Sequence, residues 1–246
     1  DTQTNLRISK YGPHFFHTKY EDVWEYVNKF AKWTRWEHKA ISYIKSKNRL
    51  VSIPVNITTV NELLDTNISD NNQMKTWLKG VQVKYDKIEN SEQMAKSRIG
   101  EDLYNLLIKP YTYKQWERYP SELDASVLAR IPVRDNFDTR YFADPYQALP
   151  LNGYTDFVKN MLNQSNIDIL LNTDFCDIKK KFHKKKIIIP TTIYTGQIDT
   201  YFSNYNLPKL EYRSLHFKHE RHYYTKYYQT NSVVNHPDPS TPYTRI

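Results

Sequence analysis

The sequence predicts a composite α+β chain, and three observations carry that prediction. From about Val60 to Arg130, apolar residues recur at helical spacing. After Arg130 the composition shifts to strand formers and turn residues. Helices in one block, then strands, with no internal repeat, argue against regular βαβ winding. The 246 residues allow one large or two small domains with a real core.

Each element has its own reason. Tyr20–Trp36 reads as a helix, because Val23, Val27, Phe30 and Ala31 share a face. Leu50–Val60 is rich in Val, Ile and Thr and contains Pro54, so it reads as an extended or edge segment. In the helical block, Met74, Trp77, Leu78 and Val81 share a face, and Ser91–Glu92 open a second helix. Leu103, Leu106, Leu107 and Ile108 follow Gly100, and Pro110 is expected to end that run. Ser121–Leu128 reads as a short helix behind Pro120. Beyond it come a helix near Thr155–Leu162, strands at Ile167–Leu171 and Ile187–Tyr194, and a short strand at Ser232–Asn235. Leu210–His222 is long, charged and alternating, and reads as a strand with one wet face.

Composition then excludes several functions. The net charge is +8, and the sharpest basic cluster is Lys179–Lys186. It lies between two expected strands, so it reads as a solvated hairpin tip. Its one aromatic ring residue of the Phe, Tyr or Trp type, Phe182, does not give the interleaving of basic and aromatic residues on one face that a polyanion groove requires, and no nucleic-acid partner is expected. No apolar run approaches the roughly 18 residues that span a bilayer. A single cysteine, Cys176, excludes an intrachain disulfide and a cysteine-based zinc cluster. His14 and His17 stand at i, i+3, but no third ligand accompanies them, so no metal is expected. The five glycines are Gly12, Gly80, Gly100, Gly153 and Gly196. None are spaced to form a G-x-G-x-x-G or Walker loop, so this chain does not cradle a dinucleotide pyrophosphate in the usual way. No signal-peptide pattern is present, and the expected compartment is the cytoplasm. The ends read as those of an internal piece of a longer protein.

Several unusual strings occur together. They are Tyr11-Gly12-Pro13-His14-Phe15-Phe16-His17-Thr18, then Gly100-Glu101-Asp102-Leu103-Tyr104 running on to Lys109-Pro110-Tyr111-Thr112-Tyr113-Lys114-Gln115-Trp116. Arg130-Ile131-Pro132-Val133-Arg134, Tyr141-Phe142, Gly153-Tyr154-Thr155 and Tyr194-Thr195-Gly196-Gln197-Ile198-Asp199 follow. Leu210-Glu211-Tyr212-Arg213-Ser214-Leu215 and Pro242-Tyr243-Thr244-Arg245-Ile246 complete the set. In this order and spacing they resemble the flavoenzyme family of UDP-galactopyranose mutases, over nearly the whole chain. The family's N-terminal flavin fingerprint and C-terminal flavin segment are not among these strings.

The resemblance implies a partial Rossmann-like FAD domain at 1–35 and 155–205 and a helical subdomain with a mobile loop at 60–130. It also implies an antiparallel sheet subdomain at 36–59, 131–154 and 206–246. It implies isomerisation of UDP-galactopyranose to UDP-galactofuranose through an adduct on N5 of reduced FAD. This chain alone is expected to hold FAD weakly and to be inactive. Its partners would be UDP-galactose, the missing segments of the same protein and a second copy in a homodimer.

Residue by residue, Arg130 resembles the mobile-loop arginine that closes over the diphosphate, and Arg245 the second diphosphate arginine. Bidentate arginine suits that charge better than lysine. Tyr111 resembles the tyrosine that stacks on uracil, with Thr112 beside it and Trp116 at the loop entrance. Tyr141 resembles the tyrosine that reaches the diphosphate, and Asn235 a substrate-side asparagine. His38 falls where some members hold a substrate-pocket asparagine, with a two-residue shift. His14, Phe15 and His17 resemble the loop on the flavin ring, and Arg213 a residue near it. Asp174 with Phe175, and Thr195 with Gly196, resemble segments on the adenosine side of FAD. Gln197 replaces a frequent proline, and Asn152 a common glycine.

Without the motifs, Tyr111 and Trp116 equally suit the core of the helical block, and both arginines a solvated surface. Two rivals stand beside this reading. One is a different flavin enzyme related to amine oxidases. The other is a degenerate, non-catalytic module that binds a UDP-sugar or a polyanion.

Overall fold

A computed structural model describes residues 7–188, 191–223 and 226–246. They form two units: residues up to Gly153 together with Phe217–Ile246, and Tyr154–His216.

The first unit holds two small sheets and most of the helices. β1 (Phe16–Thr18), β2 (Trp33–Arg35) and β5 (Tyr146–Pro150) form an antiparallel sheet in the order β1-β5-β2. The helix expected over Tyr20–Trp36 stops early: α1 is Glu21–Asn28, and β2 follows. Side-chain packing explains the change. Trp33 lies 4.9 Å from Phe16 and 5.7 Å from Trp24, and Trp24 stacks on Tyr146 at 5.4 Å. A helix continued through Trp33 would give up both this cluster and the pairing of Trp33 with Pro150.

The second sheet has the order β4-β3-β6, from β3 (Ala40–Ile44), β4 (Arg49–Ile53) and β6 (Val234–Asn235). β3 and β4 form a hairpin that turns through Asn48 in the left-handed region. β6 lies parallel to β3, with Ile41 opposite Val234 and Ser42 opposite Asn235. The sheet is therefore mixed, where a purely antiparallel one was expected. The long chain between Ile44 and Val234 permits the parallel crossover.

Leu50–Val60 divides at Asn56, where the strand ends and α2 (Ile57–Leu64) begins. Asn56 is completely buried. Its Oδ1 accepts from Thr59 N, while Thr59 Oγ1 accepts from Asn56 N, a reciprocal cap. Its amide donates to Ser52 Oγ, Pro54 O and Asp138 O. Asn56→Ala removes the cap and strands buried partners, so it is expected to cost about 2 kcal/mol or more. All five tryptophans fall between residues 24 and 116, so urea unfolding followed by their fluorescence reads this unit. An unchanged midpoint would show the cap to be dispensable.

α3 (Asn71–Val81) and α4 (Ser91–Leu103) begin at the side-chain caps Asp70 and Asn90. One wide turn, Tyr104–Ile108, then passes into α5 (Lys109–Trp116). Pro110 does not end the helical run as expected. It sits in the first turn of α5, directly behind the wide turn. The helix expected over Ser121–Leu128 becomes a single tight turn at Pro120–Glu122 and the four-residue α6 (Ser126–Ala129). The main core joins both architectures. Ile44, Val51 and Val55 pack with Ile57, Val60, Leu63, Met74, Ile99, Leu103 and Leu107. Each fully buried aliphatic side chain contributes roughly 1.5–3 kcal/mol.

The second unit contains α7 (Tyr154–Leu162), α8 (Phe175–Lys184) and α9 (Ile198–Tyr201). The lysine cluster is no hairpin tip, since most of it lies on α8. Asp174 caps that helix by accepting from Cys176 N, Asp177 sits in its first turn, and Lys181, His183 and Lys184 sit in its last. That charge order complements the helix dipole. Ile167–Leu171 and the described part of Ile187–Tyr194 form no strand, and residues 189 and 190 lie outside the described residues. Leu210–His222 forms none either. Apolar alternation needs a neighbouring edge to become a ladder, and no strand among the described residues pairs with these segments.

Candidate functional site

The site is built where α5 meets the C-terminal hairpin of the first unit. Val234 and Ile246 exchange both backbone hydrogen bonds, and His236 N donates to Thr244 O. Asn235 and Arg245 are therefore directly opposed, in the position where cross-strand side chains come closest. Both meet Tyr111 of α5. The Tyr111 hydroxyl accepts from Arg245 Nη2 at 2.8 Å and from Gln115 Nε2 at 3.1 Å, and donates to Asn235 Oδ1 at 3.2 Å. One donor and two lone pairs are all that a phenol offers, so the hydroxyl is saturated. Burial pushes the Tyr111 pKa up, against the pull of the Arg245 charge. One turn on, Lys114 Nζ donates to His236 O at 2.7 Å and Asp238 O at 3.1 Å. It thereby ties the hairpin to α5.

An aromatic and histidine wall forms beside β3. His38 is buried and stacks on Phe15 at 4.2 Å, and Phe15 is parallel to Trp36 at 6.5 Å. Tyr141 lies 5.6 Å from the His38 ring, and its N–H donates to His38 O at 2.7 Å. Burial first, then the charge of Arg245, lowers the His38 pKa, so the ring is neutral at pH 7. Its Nδ1 is buried and has no hydrogen-bond partner among the described residues. His17 stacks on Phe142 at 3.7 Å, and its Nδ1 meets Asp144 Oδ2 at 2.6 Å. His14 Nδ1 lies 2.9 Å from Gly12 O.

A charged loop holds this wall. Arg134 N donates to Val55 O, and Arg134 Nη1 to the carbonyls of Asp138 and Arg140. Asp138 receives Arg140 through both carboxylate oxygens, at 3.0 and 2.9 Å. The Arg140 hydrogen bonds are the main reason that the Asp138 carboxyl is held at about 2. Arg140 and Arg35 both face Glu37, next to His38.

The residues expected from sequence thus fall into groups. Tyr111, Asn235 and Arg245 share one hydrogen-bonded cluster, and the Arg245 charge acts on His38. His38, Phe15 and Tyr141 form the wall. Thr112 is buried on α5, and Trp116 is exposed at its end. Arg130 is exposed at the end of α6, where its Nε reaches Val127 O at 3.4 Å. No described contact joins it to the Tyr111 cluster.

Arg213, Asp174, Phe175, Thr195 and Gly196 belong to the second unit. There Phe175 lies 5.7 Å from Tyr194 and 6.2 Å from Tyr201, and Lys179 sits over the Tyr201 ring. Sequence reasoning assigned no role to Gln115, Lys114, Phe142 or Asp144. The first three stand inside the quoted strings, while Asp144 carries no local signal at all. Among the described residues, no group of three or more His, Cys, Asp and Glu side chains is placed to hold a metal. No described helix is long and apolar enough to cross a membrane.

The profile of a known family, described as UDP-galactopyranose mutase, matches residues 106–246, the stretch that supplies Tyr111, Asn235 and Arg245. The chain belongs to the UDP-galactopyranose mutase family.

Among curated relatives of this UDP-galactopyranose mutase family member, a probable UDP-galactopyranose mutase of Klebsiella pneumoniae is 33% identical over 246 residues. That match covers 100% of this chain and 61% of the relative. A dTDP-fucopyranose mutase of Escherichia coli is 34% identical, covering 100% of this chain and 64% of that protein. A UDP-galactopyranose mutase of Mycoplasma genitalium is 29% identical over 96% of this chain and 60% of its own length. The chain thus spans about three fifths of the curated relatives that it matches.

Proposed function

We propose that this chain forms the nucleotide-sugar side of a flavin-dependent mutase that interconverts UDP-galactopyranose and UDP-galactofuranose. The observation that carries the reading is the convergence of Tyr111, Asn235 and Arg245, which are 134 residues apart at the extremes, on one hydroxyl. The saturated hydroxyl fixes the Tyr111 ring as a shelf for uracil, with Thr112 beside it and Trp116 at the entrance. Arg245 meets the diphosphate, with Tyr141 adding a hydroxyl and Arg130 closing from α6. Two cations on a leaving diphosphate stabilise charge that grows as the glycosidic bond breaks. Asn235 and the neutral His38 face the sugar.

The residues fit the ring end of FAD. His38 offers a buried nitrogen with no partner among the described residues, and Phe15 and His38 a flat stacked face. His14, Phe15 and His17 would line that ring, with Arg213 near it. Asp174, Phe175, Thr195 and Gly196 would meet the adenosine portion. In reduced form, FAD supplies a nucleophile for the anomeric carbon. The arrangement proposed is a partial FAD domain at 1–35 and 155–205, completed by residues beyond this chain. The helical block at 60–130 and sheet segments at 36–59, 131–154 and 206–246 frame the substrate. A homodimer and a cytoplasmic setting complete the proposal.

The Escherichia coli relative's name makes a dTDP-sugar the alternative substrate within the same family. The test is turnover of UDP-galactofuranose and dTDP-fucofuranose by the full-length flavoprotein, with the flavin reduced and oxidised. Turnover of the UDP-sugar with reduced flavin alone is expected. Equal rates in both redox states would overturn the mechanism, and turnover of only the dTDP-sugar would overturn the substrate.

A further inference from the structure

Arg98 of α4 grips the backbone on both sides of Arg130. Its Nη1 donates to Leu128 O at 3.3 Å, Ala129 O at 3.1 Å and Ile131 O at 2.6 Å. Two N–H groups serve three carbonyls, so one bond is shared. The last carbonyls of a helix have no partner of their own, and a cation there also suits the helix dipole. α6 has only four residues, too few to hold itself by propagation. Side chains on either side of Arg130 add apolar seats: Leu128 packs with Ala95 and Tyr104, and Ile131 rests against that cluster. Arg98 is half-buried, and no carboxylate pairs with it among the described residues. Its charge is directed at the carbonyls that flank Arg130.

We propose that Arg98 is a positioning residue whose grip on the carbonyls of Leu128, Ala129 and Ile131 sets the place from which Arg130 reaches the diphosphate of a nucleotide sugar. The proposal rests on the assignment of Arg130 to that diphosphate. Without the grip, the end of α6 frays, and ligand binding must order it again. That cost falls on affinity and on the geometry of the transition state. Lysine keeps the charge but not the fork, so it replaces the grip in part.

The test uses the full-length flavoprotein with Arg98→Met, Arg98→Lys, Arg130→Ala and the double variant Arg98→Met/Arg130→Ala. UDP binding is measured by calorimetry, and amide hydrogen exchange is followed across residues 124–131. Arg98→Met is expected to weaken UDP binding about tenfold and Arg98→Lys about threefold, with faster exchange at Ala129–Ile131. In the Arg130→Ala background the Arg98→Met penalty should shrink below about twofold, because the grip acts through Arg130.

An equal penalty in both backgrounds would make Arg98 a general support and overturn the proposal. So would wild-type UDP affinity in Arg98→Met. Should Arg98→Met fail to fold, the same cycle with Arg98→Lys decides by the same criterion. Wild-type UDP affinity in Arg130→Ala would instead remove the assignment of Arg130 itself, which separates failure of the underlying reading from failure of the grip.

Discussion

Arg245→Ala is expected to reduce kcat/KM on UDP-galactofuranose by about 30- to 5,000-fold, the equivalent of roughly 2–5 kcal/mol. Two losses combine. The diphosphate loses a fork of charge-assisted donors just as negative charge grows on the leaving group. The Tyr111 hydroxyl, which accepts from Arg245 Nη2 at 2.8 Å, loses the contact that helps to fix its ring. The exposed position of Arg245 limits the folding cost, because removal of a solvated cation strands no buried charge. The variant should therefore keep its urea midpoint while losing turnover and UDP affinity. Arg245→Lys should recover only part, since a point charge cannot hold both the diphosphate and the phenol. Wild-type kcat/KM in Arg245→Ala would end the role assigned to it.

The cluster around Tyr111 was legible because the family strings hold Tyr111 and Arg245 at fixed places. The grip of Arg98 was not legible. Its partners are carbonyls, which every residue carries, so no residue type marks them. Asp144 escaped notice for a related reason. It lies 127 residues from His17, and one carboxylate among 27 acidic residues has no distinguishing neighbourhood in sequence. Lys114 and Gln115 stood in view inside a quoted string. Their roles depend on the return of a distant hairpin over α5, and helical periodicity contains no information about that.

The fold divides in the same manner. α3 announces itself through its apolar period, and the start of α4 through Ser91–Glu92, directly behind the observed cap Asn90. β1 and β2 have three residues each, too short for alternation to be read. Aromatic packing around Trp33 overrode the helical pattern that runs into it. α8 was hidden by its lysines, although Phe175, Ile178 and Phe182 keep spacings of three and four behind the Asp174 cap. Its reading as a hairpin tip came from neighbours that looked like strands, and those neighbours have no strand partner among the described residues.

Gly100→Ala is expected to destabilise the first unit by about 4 kcal/mol. Gly100 has φ +76° and ψ 179°, a region that is essentially reserved for glycine. An added Cβ would lie 2.8 Å from the carbonyl oxygen of Val81 and 2.9 Å from the Val81 Cβ. The first of these is backbone at the end of α3, which is held on both sides. Gln82 Nε2 donates to Arg98 O, and Val83 N donates to Lys96 O. Neither helix can yield without disturbing Met74, Ile99, Leu103 and Leu107, which share one core. Strain and overpacking therefore add. The reorientation at Gly100 also aims the wide turn and α5, so the variant should lose UDP binding through displacement of Tyr111. Gly80→Ala is the control. Gly80 lies within α3 with nothing within 4 Å of the added carbon, so alanine there should stabilise by about 0.5 kcal/mol. Urea midpoints followed by tryptophan fluorescence should move in opposite directions for the two variants. If both remain at the wild-type value, close packing of α3 on α4 is not what holds this unit together.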